Sequence, residues 1–265
     1  MTIPDAPEVF RPGLFAGQHA LVTGGGTGIG LAIARELGRL GAKITIAARS
    51  EERLASAADD LTRGGVDATW YGLNIRDSDA VAAFWPRLCE EQGLPDFLVN
   101  NAGGQFGAKA ADITPNGFRA VMDLNVQGTW QMCHGFATHV MAASKAGRIV
   151  NIVFAHTQAM PYFAHAAAAR AAVVNMTQTL ALEWGEHGIL VNAVGPGPVK
   201  TEAVAQYDDA MSGDRVIAKM PVPRWGEPHE TAYAVAFLLS PAGDWITGIL
   251  LPVDGGGQLA GRRFT

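Results

Sequence analysis

The chain has 265 residues; 48% are apolar, 17% are charged, 32 are glycine, and the formal net charge is −5. That length suits one large α/β domain rather than two. With no basic block, nucleic acid is not an expected partner, and no apolar run reaches the roughly 18 residues that span a bilayer.

Met1 to Pro12 lacks the apolar core of a signal peptide, and Arg263-Phe264-Thr265 differs from the peroxisomal Ser-Lys-Leu address. Cys89 and Cys133 have no neighbouring cysteine in sequence and read as buried free thiols. A cytoplasmic protein is the expectation.

Strand-length apolar runs alternate with helical patterns. Gln18 to Thr23 reads as a strand and Gly28 to Leu40 as a helix, ended by Gly41. Lys43 to Ala48 is the second strand. Glu51 to Arg63 is a helix stopped by Gly64-Gly65. Ala68 to Leu73 is a strand, Asp77 to Gln92 a helix interrupted late by Pro86, and Phe97 to Asn100 a strand. One long helix is expected from about Thr114 to Ala142. Arg148 to Val153 is a strand, Ala164 to Trp184 a helix and Leu190 to Val194 a strand. After a less regular stretch, the helix Pro228 to Leu239 and the strand Ile249 to Val253 close the chain. This alternation predicts a doubly wound parallel sheet with helices on both faces, a three-layer α/β/α single domain over 1–265. The stretch at about 198–228 reads as a substrate lid.

Thr23 to Gly30 joins the first strand to the first helix. Gly24, Gly26, Gly28 and Gly30 let the backbone turn tightly and approach a pyrophosphate. Thr27, Ile29 and the helix N-terminus supply unpaired N–H groups and a positive dipole end. Acidic residues at the end of the second strand would suit the ribose hydroxyl of NAD. Arg49-Ser50 stands there instead, and a guanidinium suits a 2′-phosphate. NADP(H) is therefore favoured over NAD(H), although Glu51 and Glu52 keep NAD(H) open.

The spacing Thr-Gly-x-x-x-Gly-x-Gly, then Asn100-Asn101-Ala102-Gly103, then Asn125, resembles the short-chain dehydrogenase/reductase family with its Rossmann-type fold. Pro196-Gly197 and Asp254-Gly255-Gly256 extend the likeness over about Leu14 to Gly257. The resemblance implies that Asn101, Ala102 and Gly103 lie against the adenosine ribose and the sheet, and that Asn74 and Ile75 face the adenine. It also implies that Pro196, Gly197 and Val199 flank the nicotinamide carboxamide, with Thr201 beside the phosphates. Asn100 to Phe106, and the stretch from His165 through Ala171 to Trp184, resemble the peroxisomal trans-2-enoyl-CoA reductases; 2,4-dienoyl-CoA reductases share this layout.

Most members of that family carry Ser and Tyr-x-x-x-Lys. Here Arg170 stands at the Lys place and Ala166 at the Tyr place, and the Ser place falls at Val153 or Phe154. Reducing a ketone needs a proton on oxygen, and a positioned acid typically contributes 10²–10⁴-fold. Reducing the C=C of an enoyl thioester instead places charge on the thioester oxygen, which needs hydrogen-bond donors.

The catalytic candidates are therefore Asn125, His156, Arg170 and Tyr162. Arg170 could hold the ribose as Lys does, and Asn125 could organise a water chain or merely bond the backbone of a helix kink. His156 could donate to an enolate. His165, turned about 100° from Ala166, reads as a packing or subunit-contact residue. Gln105 and Phe106 are substrate-pocket candidates. Lys109, Lys200, Arg215, Lys219 and Arg224 could meet the phosphates of a CoA. The expectation is an NADPH-dependent reductase of an α,β-unsaturated acyl thioester of trans-2-enoyl-CoA type, in fatty acid metabolism. A carbonyl or enone reductase and a non-catalytic dinucleotide-binding protein are the alternatives. No metal is expected, and the family resemblance implies a homo-oligomer, a tetramer.

Overall fold

A computed structural model describes residues 9–154, 161–202 and 217–259. Its strands are β1 (His19–Thr23), β2 (Lys43–Ala48), β3 (Ala68–Gly72), β4 (Phe97–Asn100), β5 (Gly147–Ile152), β6 (Ile189–Pro196) and β7 (Leu250–Val253). They form one parallel sheet in the order β3-β2-β1-β4-β5-β6-β7. The order reverses between β1 and β4. In an open α/β sheet, that reversal opens a crevice at the carboxyl ends of the strands, where ligands bind.

Helices α1 (Gly28–Arg39), α2 (Glu51–Arg63), α3 (Ser78–Gln92), α4 (Pro115–Met122), α5 (Gly128–Ala142), α6 (Ala164–Trp184) and α7 (Pro228–Leu239) cover the two faces. Local chemistry fixes their starts. Asp77 accepts from Asp79 N and Ala80 N ahead of α3, and Thr114 accepts from Gly117 N ahead of α4. Glu227 and Glu230 form a capping box around Pro228 at the start of α7. Each satisfies donors that the first helical turn leaves unpaired.

Two apolar clusters sandwich the sheet. Ile33, Leu37, Ile44, Ile46, Val235 and Leu239 pack on the side of α1, α2 and α7. Leu21, Trp85, Leu98, Phe136, Leu180 and Val191 pack on the side of α3, α5 and α6. Each such side chain contributes about 1.5–3 kcal/mol by leaving water.

Three elements differ from their sequence reading. α3 runs through Pro86 without a break. Pro86 is exposed while Trp85 and Leu88 are buried, so the core holds the helix on both sides of the missing N–H. The long helix Thr114–Ala142 is two α-helices joined by a π-turn over Asp123–Gln127. β6 extends to Pro196 because Gly195 and Pro196 pair with Pro252 and Val253, beyond the apolar run that marked the strand.

Candidate active site

The turn after β1 is built by close approach. Gly24 has φ +66° and donates its N–H to Ala47 O at 2.7 Å. A Cβ on Gly30 would sit 2.2 Å from Gly24 O and 2.4 Å from Asn101 Nδ2. No side chain fits there, and both obstacles are held: Asn101 Nδ2 donates to Thr23 O at 3.2 Å and to Gly24 O at 3.1 Å. Thr23 completes the lock. Its hydroxyl accepts from Asn101 N and Ala102 N at 3.1 Å each. β1 and β4 are thus stitched together where the sheet order reverses.

The first turn of α1 points its N–H groups outward, among them those of Gly28, Ile29 and Gly30, which no preceding turn can satisfy. Thr27 is the N-cap, yet its side chain makes no capping bond. Gly26 lies 3.6 Å, measured from a built Cβ, from the backbone of Arg53, and Gly28 faces Thr201 at 3.4 Å. Free donors, an unused hydroxyl and a dipole end fit a pyrophosphate.

Next to this turn is a cleft of about 120 Å³ lined by Gly24, Ala47, Arg49, Asn74, Ile75, Ala102, Gly103 and Leu124. It gathers the predicted adenosine residues from four different strand ends. Arg49 and Ser50 are exposed at its rim. Ile75 is buried against Gly128. Asn74 Oδ1 accepts from Arg76 N at 3.3 Å. Beyond β6, Gly197 N donates to Val253 O at 3.0 Å, and Val199 pairs with Gly226 in an isolated bridge. Pro196 closes β6 against Val253.

Deeper along the crevice, Arg170 rises from α6. Its Nη1 donates to Ile152 O at 2.8 Å, and Cζ lies 5.3 Å from the Phe154 ring centroid. Nε is buried without a partner. Nη2 lies against Gly103, where a Cβ would come within 2.4 Å of it. Among the described residues Arg170 has no ion pair, and burial pushes its pKa down to about 10. Ala166, one helical turn earlier, is 1% exposed and packs with Val121, Phe163 and Ala169.

Asn125 is buried in the π-turn. Its Nδ2 donates to Gly104 O and Val121 O at 2.8 Å each, and its Oδ1 accepts from Gly104 N at 3.2 Å. Every amide group of Asn125 is thus engaged with backbone, so the side chain clamps the 101–104 segment to the helix rather than facing the cleft. The π-turn is what brings it there.

The remaining candidates scatter. Tyr162 is 45% exposed with φ +69°, and its carbonyl accepts from Ala108 N at 2.9 Å. Phe106 is exposed and stands edge-on to the His165 ring at 4.4 Å. Gln105 is half-buried. His165 is fully buried, as a packing residue would be; its Nδ1 accepts from Ala166 N at 2.9 Å, and burial lowers its pKa. Lys109, Lys200 and Lys219 are exposed. Arg224 is not a free cation: it pairs with Glu230, which holds the Glu230 carboxyl down at about 2. His156, Arg215 and residues 203–216 of the expected lid lie outside the described residues.

Sequence reading missed Thr23 as a lock and Leu124 as a lining residue. It also missed a buried polar chain beneath the site. Asn100 Nδ2 donates to Asn151 Oδ1 at 2.9 Å, and Asn151 Nδ2 donates to Thr177 Oγ1 at 2.9 Å. Cys133 sits beside it, its thiol pushed up to about 12 by burial. The asparagines carried by two adjacent strand runs, at 100 and 151, were the available signal.

No helix among the described residues is long and apolar enough to cross a membrane. Residues 24–258 match the family model described as Enoyl-(Acyl carrier protein) reductase. The chain is 35% identical to the peroxisomal 2,4-dienoyl-CoA reductase of Arabidopsis thaliana, over 98% of this chain and 90% of that protein. Among solved structures it resembles a citronellol catabolism dehydrogenase of Pseudomonas aeruginosa, at 36% identity and a TM-score of 0.85, over 94% of this chain and 98% of that one. A gluconate 5-dehydrogenase of Burkholderia cenocepacia, solved with NADP and tartrate, is 35% identical at a TM-score of 0.87, over 92% and 96%. The fold, the glycine turn and these matches agree: the chain belongs to the short-chain dehydrogenase/reductase family of dinucleotide-dependent oxidoreductases.

Proposed function

We propose that this protein is an NADPH-dependent reductase of the C=C bond of an α,β-unsaturated acyl thioester, of the trans-2-enoyl-CoA type. The observation that carries this reading is the environment of Ala166. Where relatives by resemblance carry the acid Tyr, this chain has a methyl group inside an apolar cluster, and one turn away a cation in the Lys place. A cation stabilises negative charge on oxygen without giving up a proton.

When bound, NADPH supplies a hydride to the β-carbon of the acceptor. The protein's own residues do the rest. The Gly24–Gly30 turn and Thr27 hold the pyrophosphate. Arg49 and Ser50 take the 2′-phosphate, with Asn74 and Ile75 along the adenine. Asn101, Ala102 and Gly103 line the adenosine side, and Pro196, Gly197, Val199 and Thr201 the nicotinamide side. Arg170 grips the ribose hydroxyls and Asn125 keeps the 101–104 wall in place. Gln105 and Phe106 border the acyl group, His156 and Tyr162 are the candidate donors to it, and the lid at about 198–228 excludes water. The α-carbon proton comes from solvent.

The protein acts as a cytoplasmic homotetramer in this reading. Trp130 on α5 and Leu182 on α6 are exposed apolar side chains that a second copy would cover. A second reading, carbonyl reduction, draws on the likeness to the gluconate 5-dehydrogenase.

The two separate in one assay. NADPH consumption on adding trans-2-enoyl-CoAs, without consumption on the matching ketones, is expected. Ketone turnover alone would replace the first reading by the second.

A further inference from the structure

The Arg170 guanidinium presents an unbalanced charge. It has five N–H donors; Nη1 donates to Ile152 O, while Nε is buried with no acceptor among the described residues. Among the described residues no carboxylate pairs with it, and its Cζ lies over the face of Phe154. Asn125 Oδ1, which also abuts Gly103, is taken by Gly104 N. Buried charges are ordinarily paired, because leaving water costs several kcal/mol per ion. The cofactor's diphosphate does not supply the missing partner. It belongs to the turn after β1, whereas Arg170 is anchored at the end of β5, two strands away and so about 10 Å across the sheet.

We propose that Arg170 is an oxyanion receptor: its guanidinium fork takes the negative charge that develops on the acyl oxygen of the acceptor. The idea rests on the reductase reading for the identity of that acceptor. As hydride bonds to the β-carbon, the C=C π pair moves to join the α-carbon and the carbonyl carbon. The carbonyl π pair then moves onto oxygen, and a solvent proton later closes at the α-carbon. A planar fork that keeps donors to spare beside Gly103 matches a planar, delocalised O–C–C anion or a carboxylate. Phe154, which packs on the apolar cluster of Ala166, Phe163 and Val121, keeps water from one face of the guanidinium and strengthens the attraction.

The pocket is testable without turnover. Butyrate, a small carboxylate probe, is titrated calorimetrically into protein saturated with NADP+. Saturable binding is expected for the wild type and a loss of more than about tenfold in Arg170→Gln, with Arg170→Lys between them. NADP+ affinity is measured separately. Equal butyrate affinity in the wild type and Arg170→Gln, or no butyrate binding to the wild type, would overturn the proposal. So would a loss that vanishes once NADP+ is truly saturating, because Arg170 would then serve only the ribose. Should Arg170→Gln fail to take up NADP+, Gly103→Ala decides, since its Cβ displaces Nη2: weakened butyrate binding is expected, and unchanged binding overturns the receptor. Intact butyrate binding without enoyl-CoA turnover would instead overturn the reductase reading and leave the receptor standing.

Discussion

The two ends of the crevice are built on opposite principles. At the junction of β1 and β4, backbone touches backbone: Gly24, Gly30, Asn101 and Thr23 interlock through hydrogen bonds and leave no room for a single added carbon. Around Ala166 the packing is apolar side chains, and one turn on stands a cation whose Nε meets no acceptor among the described residues. The first end can hold a ligand of fixed shape in one way. The second sets a field, and so leaves the acceptor to be chosen by charge.

If that contrast is right, the cofactor end should be brittle and the other end forgiving. Gly30→Ala is the severest test. Its Cβ meets backbone oxygen at 2.2 Å, so we expect a loss of about 3 kcal/mol or more of stability and no measurable NADPH binding. Denaturant unfolding and fluorescence titration measure both.

A comparable loss should come from acid, through the base of the strand that carries the turn. His19 is buried, its ring Nε2 lies 2.8 Å from Thr45 Oγ1, and burial lowers its pKa to about 4. The unfolded chain takes up that proton at about 6.5, so it gains a proton the native state refuses. Stability should therefore fall as pH drops from about 6.5 to 4, by up to about 3 kcal/mol. His19→Gln should flatten that limb in pH-dependent thermal unfolding.

Arg49→Ala should act on specificity alone: NADPH affinity falls about tenfold while NADH affinity holds, as loss of one charged hydrogen bond implies. An unchanged ratio would remove Arg49 from cofactor choice. The mildest effect is expected from Gly103→Ala. Its Cβ meets the far end of the Arg170 side chain and Asn125 Oδ1 rather than backbone, so the guanidinium can shift and stability should fall by only about 1 kcal/mol.

The same contrast explains what could be read from residues alone. β2, β4, α2 and α6 fall within the bounds that apolar period and turn residues suggest, because one face of each is buried in a regular sandwich. The glycine turn was legible because the chemistry is local: eight consecutive residues carry it. The Arg170 environment was not, since Gly103 reaches it from beyond the end of β4, and Ile152 and Phe154 from the end of β5. The π-turn had no sequence signal of its own. It shifts the helix register so that Asn125 turns inward and bonds Gly104, and no periodicity announces that.

The central claim is that hydride goes to carbon of a C=C bond and not to a carbonyl. The most direct measurement uses NADPH deuterated at the transferred position with a trans-2-enoyl-CoA, followed by NMR of the acyl product. The account predicts deuterium at the β-carbon and a solvent-derived hydrogen at the α-carbon. Deuterium on a carbinol carbon, from a ketone turned over while the enoyl-CoA is left untouched, would contradict it.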